Sequence, residues 1–354
     1  MTPYNSYLFV FTDIFFVKGY TRTMICDITK NTWEFVDNDY FELSQLFRKF
    51  KIGELLEHHV DHDSHEAFFD FVQFLIKNDY ATYVDDIQNF PKIELRWISP
   101  TPIQNAIVDL NAHSVHDYYE IAKQLSELRC EHVQIRSYDD LGYKELKEIL
   151  LSFSNKDFKS IHMIVKYTAH IALEAYREFI HNSPNVSFTV HSSPKNEFNP
   201  SPLENLLHGM GYVQYIKQPI NSCQSCGIIN KKTLRLPNKL ETFIEGITHN
   251  SCLNGKISVD VHGHIKNCPS MNDSFGKIGE KSLKQVLSLS EFKKLWEINK
   301  DQIEVCKDCE YRYVCSDCRA YVDNRYAKPS KCGYNPYKGT WETPKETVHK
   351  EVKL

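Results

Sequence analysis

Eleven cysteines are the residues of this 354-residue chain best suited to chemistry, and nine of them lie between Cys223 and Cys332. The densest run is CKDCEYRYVCSDC. It spaces Cys306, Cys309, Cys315 and Cys318 as C-x2-C-x5-C-x2-C, and Cys332 lies beyond it after thirteen residues from Cys318. Upstream, Cys252 and Cys268 bracket Gly263 in a C-x10-G-x4-C unit, and Cys223 and Cys226 form another C-x2-C pair in NSCQSCG. A C-x2-C turn points two thiolates to one side, within reach of a single metal centre. Two such turns joined by five residues predict four thiolates in a compact knot. Loops this small bury too little apolar surface to hold themselves, so bound metal would supply folding energy. Four thiolates suit tetrahedral zinc and iron–sulfur clusters almost equally. Paired spacings in a chain without a secretory signal point to metal ligation before disulfides. Cys26 and Cys130 stand alone and read as core residues.

Composition narrows the function classes. Forty-two basic and 46 acidic residues give a net charge of −4, which offers no electrostatic footprint for nucleic acid. At 42% hydrophobic and 25% charged the chain is globular and long enough for two or three domains. No apolar run reaches the length of a membrane span. The N-terminal run MTPYNSYLFVFTDIFFVKGY reads as strand and not as signal peptide, so the expected location is the cytoplasm. No H-E-x-x-H helix and no phosphate-cradling G-x-x-x-x-G-K loop occurs. The basic stretch Lys231, Lys232, Arg235 and Lys239 reads as a solvated loop.

Three units must position the cysteines. Residues 1–88 predict short strands at Phe15–Gly19, Met24–Asp27 and Thr32–Val36 and capping boxes at Asp39/Glu42 and Asp63/Glu66. An amphipathic helix carries Phe68, Phe71, Val72 and Leu75 on one face, and a strand closes at Tyr80–Val84. Together they predict a winged-helix-like module. A proline-rich connector follows, with a strand at Ile93–Trp97. Residues 103–220 alternate strands with helices of about ten residues, the last helix at Pro202–Met210. That alternation predicts an α/β unit with a parallel sheet, either an open partial (β/α) barrel or a doubly wound sheet. Residues 221–340 form the cysteine-rich unit, with one helix at Leu283–Ile298. A charged tail beginning near Lys338 and covering 341–354 is expected to be poorly ordered.

The cysteine pattern, together with DVHGHIKNCPS, FGKIGEKSLKQVL and CGYNPYKGTW, resembles the SPASM domain that ends peptide-modifying radical SAM enzymes. The resemblance covers about residues 250–340 and implies auxiliary [4Fe-4S] clusters, two by count. It assigns Cys306, Cys309, Cys315 and Cys332 to one site. Cys252, Cys268 and Cys318 fall to the other, completed by Cys226 or Cys223. One departure is the two residues, Ser316 and Asp317, that separate Cys315 from Cys318 where the family has three. A second departure is larger. The family's C-x3-C-x2-C motif would fall in the loop after the first barrel strand, which here reads NAHSVH, Asn111–His116, without a cysteine. SAM is therefore not expected to bind. A radical-SAM-like scaffold with a SPASM domain and no SAM motif resembles the peptide maturases of grasp-with-spasm systems. That likeness implies a ribosomally made precursor peptide and an ATP-grasp ligase as partners. It leaves open whether the chain is an enzyme or a non-catalytic adaptor with structural iron–sulfur or zinc sites. The first unit resembles a leader-recognition element, in which a peptide strand would add at Thr32–Val36. Trp33 and Phe35 would lie beside that strand, and Phe68 and Phe71 on the neighbouring helix.

Overall fold

A computed structural model describes residues 3–200, 211–234, 236 and 239–342. Strand β1 (Tyr7–Val10) is followed by an antiparallel meander of β2 (Ile14–Lys18), β3 (Thr23–Asp27) and β4 (Thr32–Val36). Helices α1 (Asp39–Ser44), α2 (Ile52–His58) and α3 (His65–Lys77) come next. Strand β5 (Ala81–Val84) then returns to pair with β1. Alternate residues of a strand point to opposite faces, and the meander uses both. Ile14 and Ile25 pack with Phe47, Phe68, Phe71, Val72 and Leu75 under the helices. Val17, Met24 and Cys26 pack on the other face with Tyr311, Val314 and Tyr334 of the cysteine-rich region.

Two expected capping boxes do not form. Helix α1 starts after Asn38, whose Nδ2 donates instead to the carbonyls of Gly19 and Tyr20, and α3 starts after Ser64 without a side-chain cap. Helix α3 is held by its buried face of Phe68, Phe71, Val72 and Leu75, and α1 packs on the same core through part-buried Tyr40 and Leu43. The connector strand expected at Ile93–Trp97 is also absent: the segment lies outside every ladder, with Ile93 and Leu95 exposed.

The second unit alternates β6 (Asn105–Leu110), α4 (Tyr118–Glu127), β7 (His132–Ser137), α5 (Tyr143–Ser154), β8 (Ser160–Lys166), α6 (Leu173–Asn182) and β9 (Val186–His191). Strands β10 (Glu197–Asn199) and β11 (Val213–Tyr215) follow, and the helix expected at Pro202–Met210 lies outside the described residues. After α7 (Leu240–Thr248), the hairpin of β12 (Lys256–Val259) and β13 (Ile265–Lys266) joins the same sheet. The eight strands run β10-β11-β9-β8-β7-β6-β12-β13, and the six from β11 to β12 are parallel. The sheet therefore continues past residue 220 into the cysteine-rich region.

One face of this sheet is apolar. Ala106, Val108, Val133, Ile135, Ile161, Met163, Val186 and Phe188 share a core with Ile121, Leu125, Leu146, Ile149, Tyr176 and Ile180 of α4, α5 and α6. The opposite face carries Asn105, His132, Gln134, Ser160, His162 and Thr189. With α4, α5 and α6 all on the apolar face and polar residues on the other, the described residues make an open, mostly parallel α/β sheet of the partial-barrel kind.

The helix expected across Leu283–Ile298 breaks in two. Helix α8 (Leu283–Leu287) has a Ser282/Gln285 capping box and ends at Ser288. Leu289 turns extended before α9 (Ser290–Lys293). Asn267 fixes the second piece by donating to the carbonyl of Phe292 and accepting from the Trp296 indole. The start of the expected tail is ordered as well. Strand β14 (Tyr334–Asn335) pairs with β15 (Thr340–Trp341), and Trp341 packs 4.8 Å from the Tyr334 ring. Residues 343–354 lie outside the described residues.

Candidate metal centres

All eleven cysteines are free thiols. Of the nine between Cys223 and Cys332, eight fall in two neighbourhoods. Cys306, Cys309, Cys315 and Cys332 form the first: Cys315 lies within electrostatic reach of Cys306 and Cys332, and Cys309 of Cys306 and Cys315. Short turns set their positions. The Cys309 amide donates to the Cys306 carbonyl at 3.0 Å, and the Arg312 amide to the Cys309 carbonyl at 3.2 Å. Val305, immediately before the knot, has φ +66. That angle is rare for a β-branched residue and marks a turn held by its surroundings. Cys332 arrives from the far end of the region, pinned by an isolated bridge to Ile229.

Cys226, Cys252, Cys268 and Cys318 form the second neighbourhood. Cys268 senses Cys252 and Cys226, and Cys318 senses the same two. Gly227 explains the approach of Cys226: a Cβ at this position would stand 2.9 Å from Cys318 Sγ, so only glycine lets the backbone come so near. Cys223 lies at the margin, within electrostatic reach of Tyr321 as Cys318 and Cys226 are. Its carbonyl accepts from Ser270 Oγ at 2.9 Å and from the Tyr321 hydroxyl at 3.4 Å.

Among the described residues, no group of three or more His, Cys, Asp or Glu side chains is arranged to hold a metal ion as the side chains stand. Burial pushes the thiols of Cys315 and Cys268 up to about 12 and that of Cys318 to about 11. Without metal they stay protonated at neutral pH, and metal binding would release their protons.

Each neighbourhood holds one lysine, buried in the first and part-buried in the second. Lys300, 3% exposed, lies with Nζ 3.6 Å from Cys315 Sγ and 3.2 Å from Asp317 Oδ1. Burial would lower its pKa, but Cys315 and Asp317 hold the ammonium above its ordinary value. Asp317 also pairs with Arg319 at 2.7 Å and accepts from Asn250 Nδ2 at 2.8 Å. One of the two residues in the shortened Cys315–Cys318 spacer is thus a buried carboxylate shared by two cations. Lys256 Nζ donates to Cys252 Sγ at 3.5 Å; burial opposes its charge, and Cys252 and Cys268 favour it. Neither lysine carries a sequence signal, because burial of a long cationic chain is not visible in local pattern.

The sheet ends beside the second neighbourhood. Asp109, 1% exposed, accepts from Arg136 Nε at 2.6 Å, Arg136 Nη2 at 2.8 Å and the Tyr138 hydroxyl at 2.5 Å. Arg136 is within electrostatic reach of Cys268, and Tyr138 of Cys223. The loop Asn111–His116 is closed by its own hydrogen bonds. The Asn111 amide donates to Ser114 Oγ, Ser114 Oγ donates to the Val261 carbonyl at 2.8 Å, and His116 Nε2 lies 2.9 Å from the Asp109 carbonyl.

The four aromatic residues expected beside a bound peptide are packed within the chain. Phe68 and Phe71 are 2% and 4% exposed in the core under α3. Trp33 and Phe35 lie half-buried against Tyr311, at ring distances of 6.2 and 5.7 Å, and Arg22 stacks on Phe35. Strand β4 is an edge of its meander, and its outer backbone has no strand partner among the described residues. The β2–β3 turn docks on the cysteine knot. Arg22 Nε donates to Glu310 Oε1 at 2.8 Å, the Tyr20 amide to the Asp308 carbonyl, and Arg312 Nη1 to the Lys18 carbonyl. Lys231, Lys232 and Lys239 are exposed, and Arg235 lies outside the described residues. No described helix is long and apolar enough to cross a membrane.

No family model matches the chain, and no curated protein matches it. Among solved structures it is similar to SuiB of Streptococcus suis. Against the crystal structure of SuiB bound to S-adenosylmethionine the TM-score is 0.40 at 10% identity, over 92% of this chain and 99% of that one. Against SuiB bound to the precursor peptide SuiA the values are 0.40 and 10%, over 92% of this chain and 100% of that one. The likeness is distant.

Proposed function

We propose that the chain takes part in maturing a ribosomally made peptide, holding two [4Fe-4S] clusters in its cysteine-rich region. The observation that carries this reading is the sorting of eight free thiols into two sets of four, drawn from four separated stretches of sequence. Cys306, Cys309, Cys315 and Cys332 would hold one cluster. Cys226, Cys252, Cys268 and Cys318 would hold the other, with Cys226 favoured over Cys223 by the Gly227 contact. Zinc, with bonds of about 2.3 Å, would need four sulfurs contracted around one ion. An iron–sulfur cube has metals and sulfides of its own between the thiolates and asks for less contraction. A cation beside each set, buried at Lys300 and part-buried at Lys256, favours an anionic occupant. When bound, such clusters accept and release single electrons.

The N-terminal unit would recognise the precursor as a leader-binding module. The open backbone edge of β4 supports strand addition. Trp33 and Phe35, anchored on Tyr311, would fix that edge relative to the cysteine knot. SAM has no cluster to bind in the loop Asn111–His116, which carries no thiol. That loop favours a second reading beside a redox enzyme: an adaptor that presents the precursor to an ATP-grasp ligase.

The two separate in one experiment. The anaerobically prepared chain, its precursor and the ligase are mixed with and without SAM, and product mass is followed. Product that needs the chain but not SAM supports the proposal. A ligase that works at full rate alone defeats the adaptor reading, and product that requires SAM defeats the assignment of the loop.

A further inference from the structure

We propose that Lys300, buried, and Lys256, part-buried, are positioning residues, each placing one positive charge against one four-thiolate site and raising the reduction potential of the cluster held there. The inference rests on the reading above and adds what those sites do with electrons.

The charge count around Lys300 carries it. Lys300 and Arg319 both face Asp317, at 3.2 and 2.7 Å, so two buried cations share one carboxylate. One positive charge is left over, and Lys300 Nζ directs it at Cys315 Sγ, 3.6 Å away. Arg319 Nε and Nη2, and Asp317 Oδ1 between the two cations, make no hydrogen bond in satisfactory geometry, so the three groups are held by charge. An uncompensated buried charge is costly, and a negative cluster supplies the compensation. At the second site Lys256 Nζ has Cys252 Sγ as its hydrogen-bond acceptor at 3.5 Å. Cys268 and Cys226 lie within electrostatic reach of it, and Glu245 on α7 is the carboxylate that feels its charge.

Reduction adds one electron, and so one negative charge, to an already dianionic cluster-thiolate unit, the electron coming from a low-potential one-electron donor. A fixed ammonium at hydrogen-bond distance from a ligand sulfur stabilises the reduced form more than the oxidised one. Net charge and hydrogen bonds to the sulfurs are two of the terms that set such potentials.

The test is an anaerobic redox titration with dithionite, followed by electron paramagnetic resonance, on the full-length reconstituted chain. Lys300→Met keeps the side-chain stem and leaves Arg319 and Asp317 as a balanced pair. Lys256→Met is the equivalent change at the second site. Each is expected to lower the reduced-to-oxidised ratio of one signal at least tenfold at a fixed potential, a shift of 59 mV for a one-electron couple. The other signal should stay in place, and Lys300→Arg and Lys256→Arg should restore the first. Iron loss in the Met variants that the Arg variants repair also supports the charge; iron loss that they do not repair overturns it. Full iron content with unmoved potentials overturns this inference alone, whereas a wild-type chain that takes up no iron and sulfide defeats the two-cluster reading itself.

Discussion

Replacing Gly227 by alanine should empty the second thiol site while sparing the first. Two costs add at this position. Its φ of +88 lies in the left-handed region, where a side chain costs about 1–2 kcal/mol. The new Cβ would also stand 2.9 Å from Cys318 Sγ and 3.1 Å from two ring carbons of Tyr321. Relieving contacts that short costs a further 1–3 kcal/mol or so by the usual scale of overpacking. Gly279 separates the two terms: its φ is +89, and a Cβ there meets nothing within 4 Å. Gly279→Ala should therefore lose about 1–2 kcal/mol and keep its metal content. Gly227→Ala should lose roughly 2–5 kcal/mol and about half of its iron. Urea unfolding of the reconstituted proteins and iron quantitation read both quantities. If Gly227→Ala retains full iron, or behaves as Gly279→Ala does, the close approach of the Cys226 segment to Cys318 is not what builds the second site.

The sheet offers two further tests. Arg136→Met strands the Asp109 carboxylate, 1% exposed, with Tyr138 as its remaining side-chain donor, and should cost about 3–5 kcal/mol. The double variant Asp109→Asn with Arg136→Met should recover most of that in denaturant titrations; equal losses in single and double variants would refute an ion-pair origin. His162 gives a pH dependence. Burial lowers its pKa from 6.5 to about 4, and it lies between Gln134 and Thr189 as a neutral ring. The unfolded chain then binds more protons than the folded one between these values. Stability from this residue is complete above pH 6.5 and falls as the pH drops towards 4, by up to about 3 kcal/mol. His162→Gln should flatten that part of the stability–pH curve, and an unchanged slope would contradict it.

Much of this arrangement can be read from local pattern. The alternation of strands and helices over residues 105–191 is legible because apolar periodicity and turn residues are local signals, and β6 to β9 fall where that pattern puts them. The proposed sorting of thiols comes from spacing and resemblance together. What escapes is long-range. Strand β12 joins the parallel sheet beside β6, a pairing across about 150 residues that no local window contains. Arg22 and Glu310, nearly 300 residues apart, couple the N-terminal meander to the cysteine knot. The burial of Lys300 is likewise invisible, because lysine is ordinarily a surface residue. Trp33 and Phe35 show a further limit. Their aromatic alternation marks a strand correctly, but only the packed structure shows their rings against Tyr311.

The most direct measurement is the composition of the chain purified and reconstituted without oxygen, with iron, acid-labile sulfide and zinc counted together. Two cubane sites predict about eight irons and about eight sulfides per chain, with Cys226→Ser reduced to about four of each and Cys223→Ser unchanged. Stoichiometric zinc without sulfide, or disulfide bonds among these cysteines, would contradict the account.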